Sequence, residues 1–221
     1  MSTRESKLSA AEQTVVDAVL RMYGQGWFPM YDDESGVTQW VQPRRRGIIP
    51  LDDRFQPARS LRAKIRRGGF ALTTDRCFEQ VMRECAKPAP GRDRTWLNDE
   101  ITQAFVLLHR AGVAHSIEAW CEDRLVGGLY GLALGGVFCG ESMFSRPELG
   151  GTDASKVCLC QLVSHLRARG FAVLDSQLSN PHLDQFGCYE ISQAEYQELL
   201  DAHASEPGRT WLPFDVLREW R

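Results

Sequence analysis

Apolar positions along this chain keep a helical period first, then a strand period, then a helical one again. Val15, Val16, Val19 and Leu20 fall on one helical face behind Ser9-Ala-Ala-Glu12, a capping box, so the spacing predicts a first helix over 10–23, closed by Gly24-Gln-Gly26. Trp27-Phe-Pro-Met-Tyr31 reads as an aromatic loop, residues 32–36 as a polar turn and 38–41 as a short strand. Residues 60–67 read as a short basic helix ended by Gly68-Gly69. A strand over 70–74 follows, then a helix capped by Thr74 or Asp75 and running through Ala86, then a Pro/Gly loop over 87–94. Asn98 caps another helix, with Ile101, Phe105 and Leu108 on one face and Gly112 at its end. Three strands are predicted over 115–121, 125–134 and 137–144. Glu122-Asp-Arg124 and Gly135-Gly136 turn between them, giving an antiparallel meander. After a loop over 146–153, Leu159, Leu162, Val163 and Leu166 share one face of a helix over 154–169. A strand expected in the middle of the sheet covers 171–178, and a second capping box, Ser192-Gln-Ala-Glu195, opens a helix through His203.

This order predicts an α+β fold: a mixed sheet flanked by helices, with a small N-terminal subdomain over 1–50 and the main domain over 51–221. A meander followed by a helix and a further strand matches the acetyltransferase-like (GNAT) layout, an analogy that names no chemistry. Composition fits a globular chain: 221 residues, 43% hydrophobic and 25% charged. The longest uncharged stretch, 125–140, is shorter than the ~20 residues of a spanning helix and carries six glycines. Residues 1–7 lack the apolar core of an export signal, so the expectation is a cytoplasmic protein with no membrane partner. The seven cysteines form no C-x-x-C and lie near no histidine at ligand spacing, which points to reduced, buried thiols and no metal.

Charge changes the picture. Net charge is −3, but residues 42–67 hold nine basic side chains against Asp52 and Asp53; nine minus two is +7, leaving −10 on the rest. Such a stretch is either a solvated face or a handle for a polyanion, and its local extent suits a grip on one end of an RNA better than a duplex-wide surface.

Two strands carry candidate chemistry. In Phe138-Cys-Gly-Glu-Ser-Met-Phe-Ser-Arg146, Glu141 and Met143 share a strand face, and a carboxylate among apolar neighbours is either a working group or an edge residue facing water. In Leu174-Asp-Ser-Gln177, Asp175 and Gln177 leave one face. They could orient an attacking amine or water, or merely cap a neighbouring loop. The apolar face of the 154–169 helix is either core or a pocket wall. No G-x-S-x-G, P-loop or G-x-G-x-x-G is present, and Arg146-Pro-Glu-Leu-Gly-Gly-Thr-Asp153 is a poor version of a coenzyme A pyrophosphate loop.

The chain resembles the leucyl/phenylalanyl-tRNA–protein transferases. The likeness rests on Trp27-Phe-Pro29, Ser60-Leu-Arg62, Thr95-Trp-Leu97, Ala114-His-Ser-Ile-Glu118, Leu125-Val-Gly-Gly-Leu-Tyr-Gly131, Gly140-Glu-Ser-Met-Phe-Ser-Arg146, Ala154-Ser-Lys156 and Leu174-Asp-Ser-Gln177, in the family's order over about 27–199. The resemblance implies an enzyme that moves leucine or phenylalanine (methionine as a further donor) from aminoacyl-tRNA to a protein N-terminal Arg or Lys, marking it for N-degron degradation. It implies a GNAT-like domain and no cofactor, with aminoacyl-tRNA and the acceptor protein as partners and no role for DNA. By motif match, Leu129, Met143, Leu159, Leu162, Leu166 and Leu174 line the donor side-chain pocket, with Glu141 beside it. Trp96 and Phe138 shape the terminal-adenosine region, and Arg59, Arg62, Arg66 and Arg67 hold the acceptor stem. Asp175 and Gln177 orient the amine. About 26 residues precede Trp27, fewer than is usual in the family; Met30 stands where Trp is common, and 147–150 looks inserted. An acyl-CoA-dependent acyltransferase and a non-catalytic RNA-binding regulator are the alternatives.

Overall fold

In a computed structural model, residues 8–88, 96–207 and 211 are described. Helix α1 (Ala10–Gly24) opens with both halves of its capping box made: Ser9 Oγ accepts from the Glu12 amide, and Glu12 accepts from the Ser9 amide at 2.7 Å. The segment expected as a loop is a strand, β1 (Phe28–Asp32), paired antiparallel with β2 (Val37–Val41) from Phe28↔Val41 to Asp32↔Val37. This two-stranded sheet has two open edges, which accommodates Pro29 without loss of a ladder bond.

Sequence reading also missed β3 (Arg45–Ile49), whose last four residues are buried. Two consecutive arginines hid the strand inside an apparent charge run. It is followed by α2 (Arg59–Arg67), ended by Gly68 in the left-handed region (φ 70°), and by β4 (Ala71–Thr74). Helix α3 (Phe78–Ala86) starts later than expected, and neither Thr74 nor Asp75 caps it. Asp75 instead accepts from the Ser116 amide and pairs with His115 Nδ1, both at 2.8 Å. Residues 89–94 of the expected Pro/Gly loop lie outside the described residues. Helix α4 (Asp99–Arg110) is capped as expected, Asn98 Oδ1 accepting from Ile101 N at 2.9 Å.

The meander follows as β5 (Ala114–Cys121), β6 (Arg124–Leu134) and β7 (Val137–Ser145), then a 3₁₀ turn at Pro147–Leu149 and helix α5 (Ala154–Ala168). Strand β8 (Val173–Gln177), a one-turn helix α6 (Pro181–Asp184), the unexpected strand β9 (Tyr189–Ser192) and helix α7 (Gln193–His203) complete the order.

Seven strands form one mixed sheet in the order β4-β5-β6-β7-β8-β3-β9; every pair is antiparallel except β7–β8. Side chains alternate faces, so neighbouring residues of β6 serve different cores. Tyr130 belongs to the cluster that holds Tyr23, Phe105 and Val16, and Leu129 to the one that holds Phe138, Leu159, Leu162 and Leu174. Thus α1 shares a core with α4 and β6, and β3 lies between β8 and β9. Helix α5 sits close on β6 because Gly127 lacks a side chain: a Cβ there would lie 2.4 Å from that of Ala154. Among the described residues, no helix is long and apolar enough to cross a membrane.

Candidate active site

Strands β7 and β8 pair in parallel over only three positions, Val137↔Val173 to Cys139↔Asp175. Beyond them β7 continues to Ser145, whereas β8 ends at Gln177, whose φ of 61° turns the chain away. The two strands therefore part company, and a cleft of about 940 Å³ opens there. A bulge re-aims the β7 wall. Tyr130 pairs with Ser142 and Gly131 with Gly140, so Glu141 is the extra residue of β7.

Glu141 and Gln177 meet across the gap. Glu141 Oε1 accepts from Gln177 Nε2 at 2.7 Å and from the Tyr23 hydroxyl at 2.9 Å. Desolvation pushes the Glu141 carboxyl up to about 8, with the nearby charge of Asp175 in the same direction and the Tyr23 hydrogen bond opposing. Glu141 is therefore largely protonated near neutral pH, and its Oε2 has no protein partner among the described residues.

Asp175 is built differently. It has no solvent exposure, and both carboxylate oxygens are occupied. Arg46 Nε donates to Oδ1 at 2.8 Å and an Arg46 terminal nitrogen donates to Oδ2 at 2.6 Å, a two-pronged pair. The Tyr196 hydroxyl adds a bond to Oδ2 at 2.9 Å, and the Gln177 amide a bond to Oδ1 at 2.8 Å. Arg46 is 1% exposed; it also donates to Gly26 O and lies over the rings of Phe28 and Tyr196. This corrects the reading of Arg46 as part of a solvated or RNA-facing basic stretch: it is the buried partner of Asp175. Asp175 is also among the residues that line the cleft, fully buried and holding the Gln177 amide.

The expected pocket residues divide. Leu129, Met143, Leu159, Leu162 and Leu174 line the cleft together with Glu141, Gln177 and Trp96. Trp96 is brought there by β1, whose Tyr31 amide donates to Trp96 O at 3.0 Å. Leu166 and Phe138 do not reach it. Both are fully buried behind that wall, so Phe138 has no exposed ring surface and bears on the terminal-adenosine region only through the residues in front of it. The four arginines of α2 lie outside the cleft. Arg59, Arg66 and Arg67 are exposed, and none of the four makes a side-chain hydrogen bond or ion pair among the described residues. Lys64 of the same helix bonds Thr152 O and Asp153, both on the cleft wall, so α2 stands at its rim.

Sequence reading missed Arg46, Tyr23 and Tyr196. Only Arg46 left a trace, an arginine two positions before the apolar pair Ile48-Ile49. Met30 and Pro147 both line the cleft. Among the described residues, no group of three or more His, Cys, Asp or Glu could hold a metal ion.

Comparison with known proteins bears on this cleft. The sequence profile of the family described as leucyl/phenylalanyl-tRNA protein transferase matches residues 48–201. A leucyl/phenylalanyl-tRNA–protein transferase of Chlorobaculum parvum is 47% identical over 186 residues, 84% of this chain and 93% of the relative. One of Rhizorhabdus wittichii is 50% identical over 186 residues, 84% of this chain and 73% of the relative. One of a Synechococcus strain is 46% identical over 197 residues, 89% and 98%.

Proposed function

The chain belongs to the leucyl/phenylalanyl-tRNA protein transferase family, and we propose that the cleft between β7 and β8 is where it joins a donor aminoacyl ester to an acceptor amine. It is an aminoacyltransferase. The donor is leucine or phenylalanine carried on tRNA, and the acceptor is the N-terminal Arg or Lys of a protein, which is thereby marked for N-degron degradation. The ester arrives activated, so the reaction needs no coenzyme.

One observation carries this reading: a polar pair, Glu141 and Gln177, stands at the edge of a wall made by Leu129, Leu159, Leu162 and Leu174. An apolar wall takes an apolar side chain, and the polar pair beside it meets the reacting groups. With Gln177 Nε2 directed to Glu141, Gln177 Oε1 is left to accept from the incoming amine and fix its line of approach. The amine attacks the ester carbonyl carbon. A C–N bond forms, the C–O bond to the ribose breaks, and the proton lost by nitrogen ends on the ribose oxygen. Asp175 is a positioning residue: it holds the Gln177 amide and is itself fixed by Arg46 and Tyr196. Glu141 helps to place the donor. Trp96 borders the terminal adenosine, while Arg59, Arg62, Arg66 and Arg67 hold phosphates, a contact that reads no sequence. The GNAT-like reading of the fold is supported by the meander, the following helix α5 and the parallel strand β8.

The deciding assay mixes the protein with labelled leucyl-tRNA and a peptide beginning with Arg. Label in the peptide is the expected result. Transfer only from an acyl-CoA, or retention of RNA without transfer, overturns the proposal.

A further inference from the structure

Trp211 lies far from the cleft residues in sequence, yet it packs on their cluster. Its indole stacks on His115 (centroids 4.4 Å apart, planes 9° apart) and on Phe138 (5.5 Å, 20°), and it leans against His165 (4.4 Å, 58°). Its ring N–H donates to Thr74 Oγ1 at 2.7 Å, and that hydroxyl in turn donates to Ser116 O. Burial, with help from Arg169, lowers the His165 pKa to about 4, so near neutral pH this ring meets the indole uncharged. The indole is thus fixed on several sides and by its single donor.

We infer that Trp211 sets the depth of the donor side-chain pocket by holding Phe138 against the back of the leucine wall. The inference rests on the reading that this wall receives the donor side chain. Two layers separate Trp211 from the cleft. Leu129, Leu159, Leu162 and Leu174 face the open space, and Phe138 lies fully buried in the same cluster behind them. On its other sides Phe138 is confined: Phe171 meets it edge-on at 6.4 Å, and a Cβ on Gly131 would lie 2.4 Å from its ring. Trp211 covers a remaining face. A close-packed interior transmits such a change, so loss of the indole lets Phe138 fall back and the wall follow it, deepening the pocket. Trp211 touches no substrate in this arrangement; it is a specificity-determining residue that acts through Phe138.

The test compares kcat/KM for leucyl- and phenylalanyl-tRNA in wild type, Trp211→Ala, Trp211→Leu and Trp211→Phe. Expected is a rise of about tenfold in the phenylalanyl-to-leucyl ratio for Ala, a smaller rise for Leu and a near wild-type ratio for Phe, which restores a stacking ring. Stability alone moves both donors together and leaves the ratio fixed. An unchanged ratio in Trp211→Leu, or an equal shift in Trp211→Phe and Trp211→Ala, overturns the inference while the donor reading stands. Wild type that transfers from neither donor sinks the donor reading itself.

Discussion

At the scale of single residues, the site depends on two carboxyls held by different partners. Arg46 grips both oxygens of Asp175, so replacing that carboxylate leaves a buried guanidinium uncompensated. Asp175→Asn is expected to lower the unfolding free energy by about 3–5 kcal/mol in a urea titration. Gln177→Ala is expected to melt like wild type yet lose at least tenfold in kcat. In the double variant, assayed well below its melting point, the kcat losses are expected not to add, because Asp175 acts through Gln177. A Gln177→Ala enzyme with normal kcat would remove this residue from the reaction. Among the described residues, Glu141 accepts only from neutral donors, the Tyr23 hydroxyl and the Gln177 carboxamide. Its folded pKa of about 8 lies above the ordinary value of 4.5, so between these values the folded state holds a proton that the unfolded chain has lost. The stability it contributes is fully present below about pH 4.5 and is lost as pH rises to 8, at a slope of up to about 1.4 kcal/mol per pH unit. Denaturant titrations at pH 5 and pH 8 are expected to show this decline in wild type, and Glu141→Gln is expected to flatten it. A parallel decline in both proteins assigns the effect to another group.

At the scale of elements, the apolar wall of the cleft is shared by α5 (Leu159, Leu162), β6 (Leu129) and β8 (Leu174). Leu162 projects from α5 into the cleft and is 1% exposed. Leu162→Trp fills the pocket from that side, and kcat/KM is expected to fall further for the phenylalanyl donor than for the leucyl donor. Equal losses would mean that overpacking, at a cost of about 1–3 kcal/mol, had only destabilised α5. The periodicity of α5 was legible, and so was the shared face of Asp175 and Gln177 on β8. The bulge that re-aims Glu141 was not, because an extra residue in one strand is defined only by its partner's register. The strand at 45–49 was illegible for a related reason: two arginines suggest solvent until a buried carboxylate is known to lie 2.8 Å away.

At the scale of the whole molecule, charge is spread unevenly. A net charge of −3 with +7 confined to residues 42–67 favours a local contact, and burial of Arg46 removes one of those charges from the surface. Reversing Arg66 and Arg67 to Glu is expected to raise the KM for aminoacyl-tRNA and to flatten its log–log salt dependence by up to about two units, about 0.9 for each lost phosphate contact. The KM for the acceptor peptide is expected to stay nearly constant. An unchanged salt slope would make α2 a solvated face.

The sequence by itself determined the helices with capping boxes, the meander, the basic helix and the motif residues. Each of these is set by neighbours a few positions apart in the chain. The tertiary structure alone decided which motif residues touch the cleft and which only support it. Tyr23 reaches Glu141 across 118 positions, Arg46 reaches Asp175 across 129 and Trp211 reaches Thr74 across 137. Contacts this long carry no local period, because they arise only when the sheet brings β3 beside β8 and α1 against β7. Phe138 and Met143 belong to one motif on one strand, yet the diverging end of β7 leaves Met143 at the open cleft and Phe138 sealed behind it.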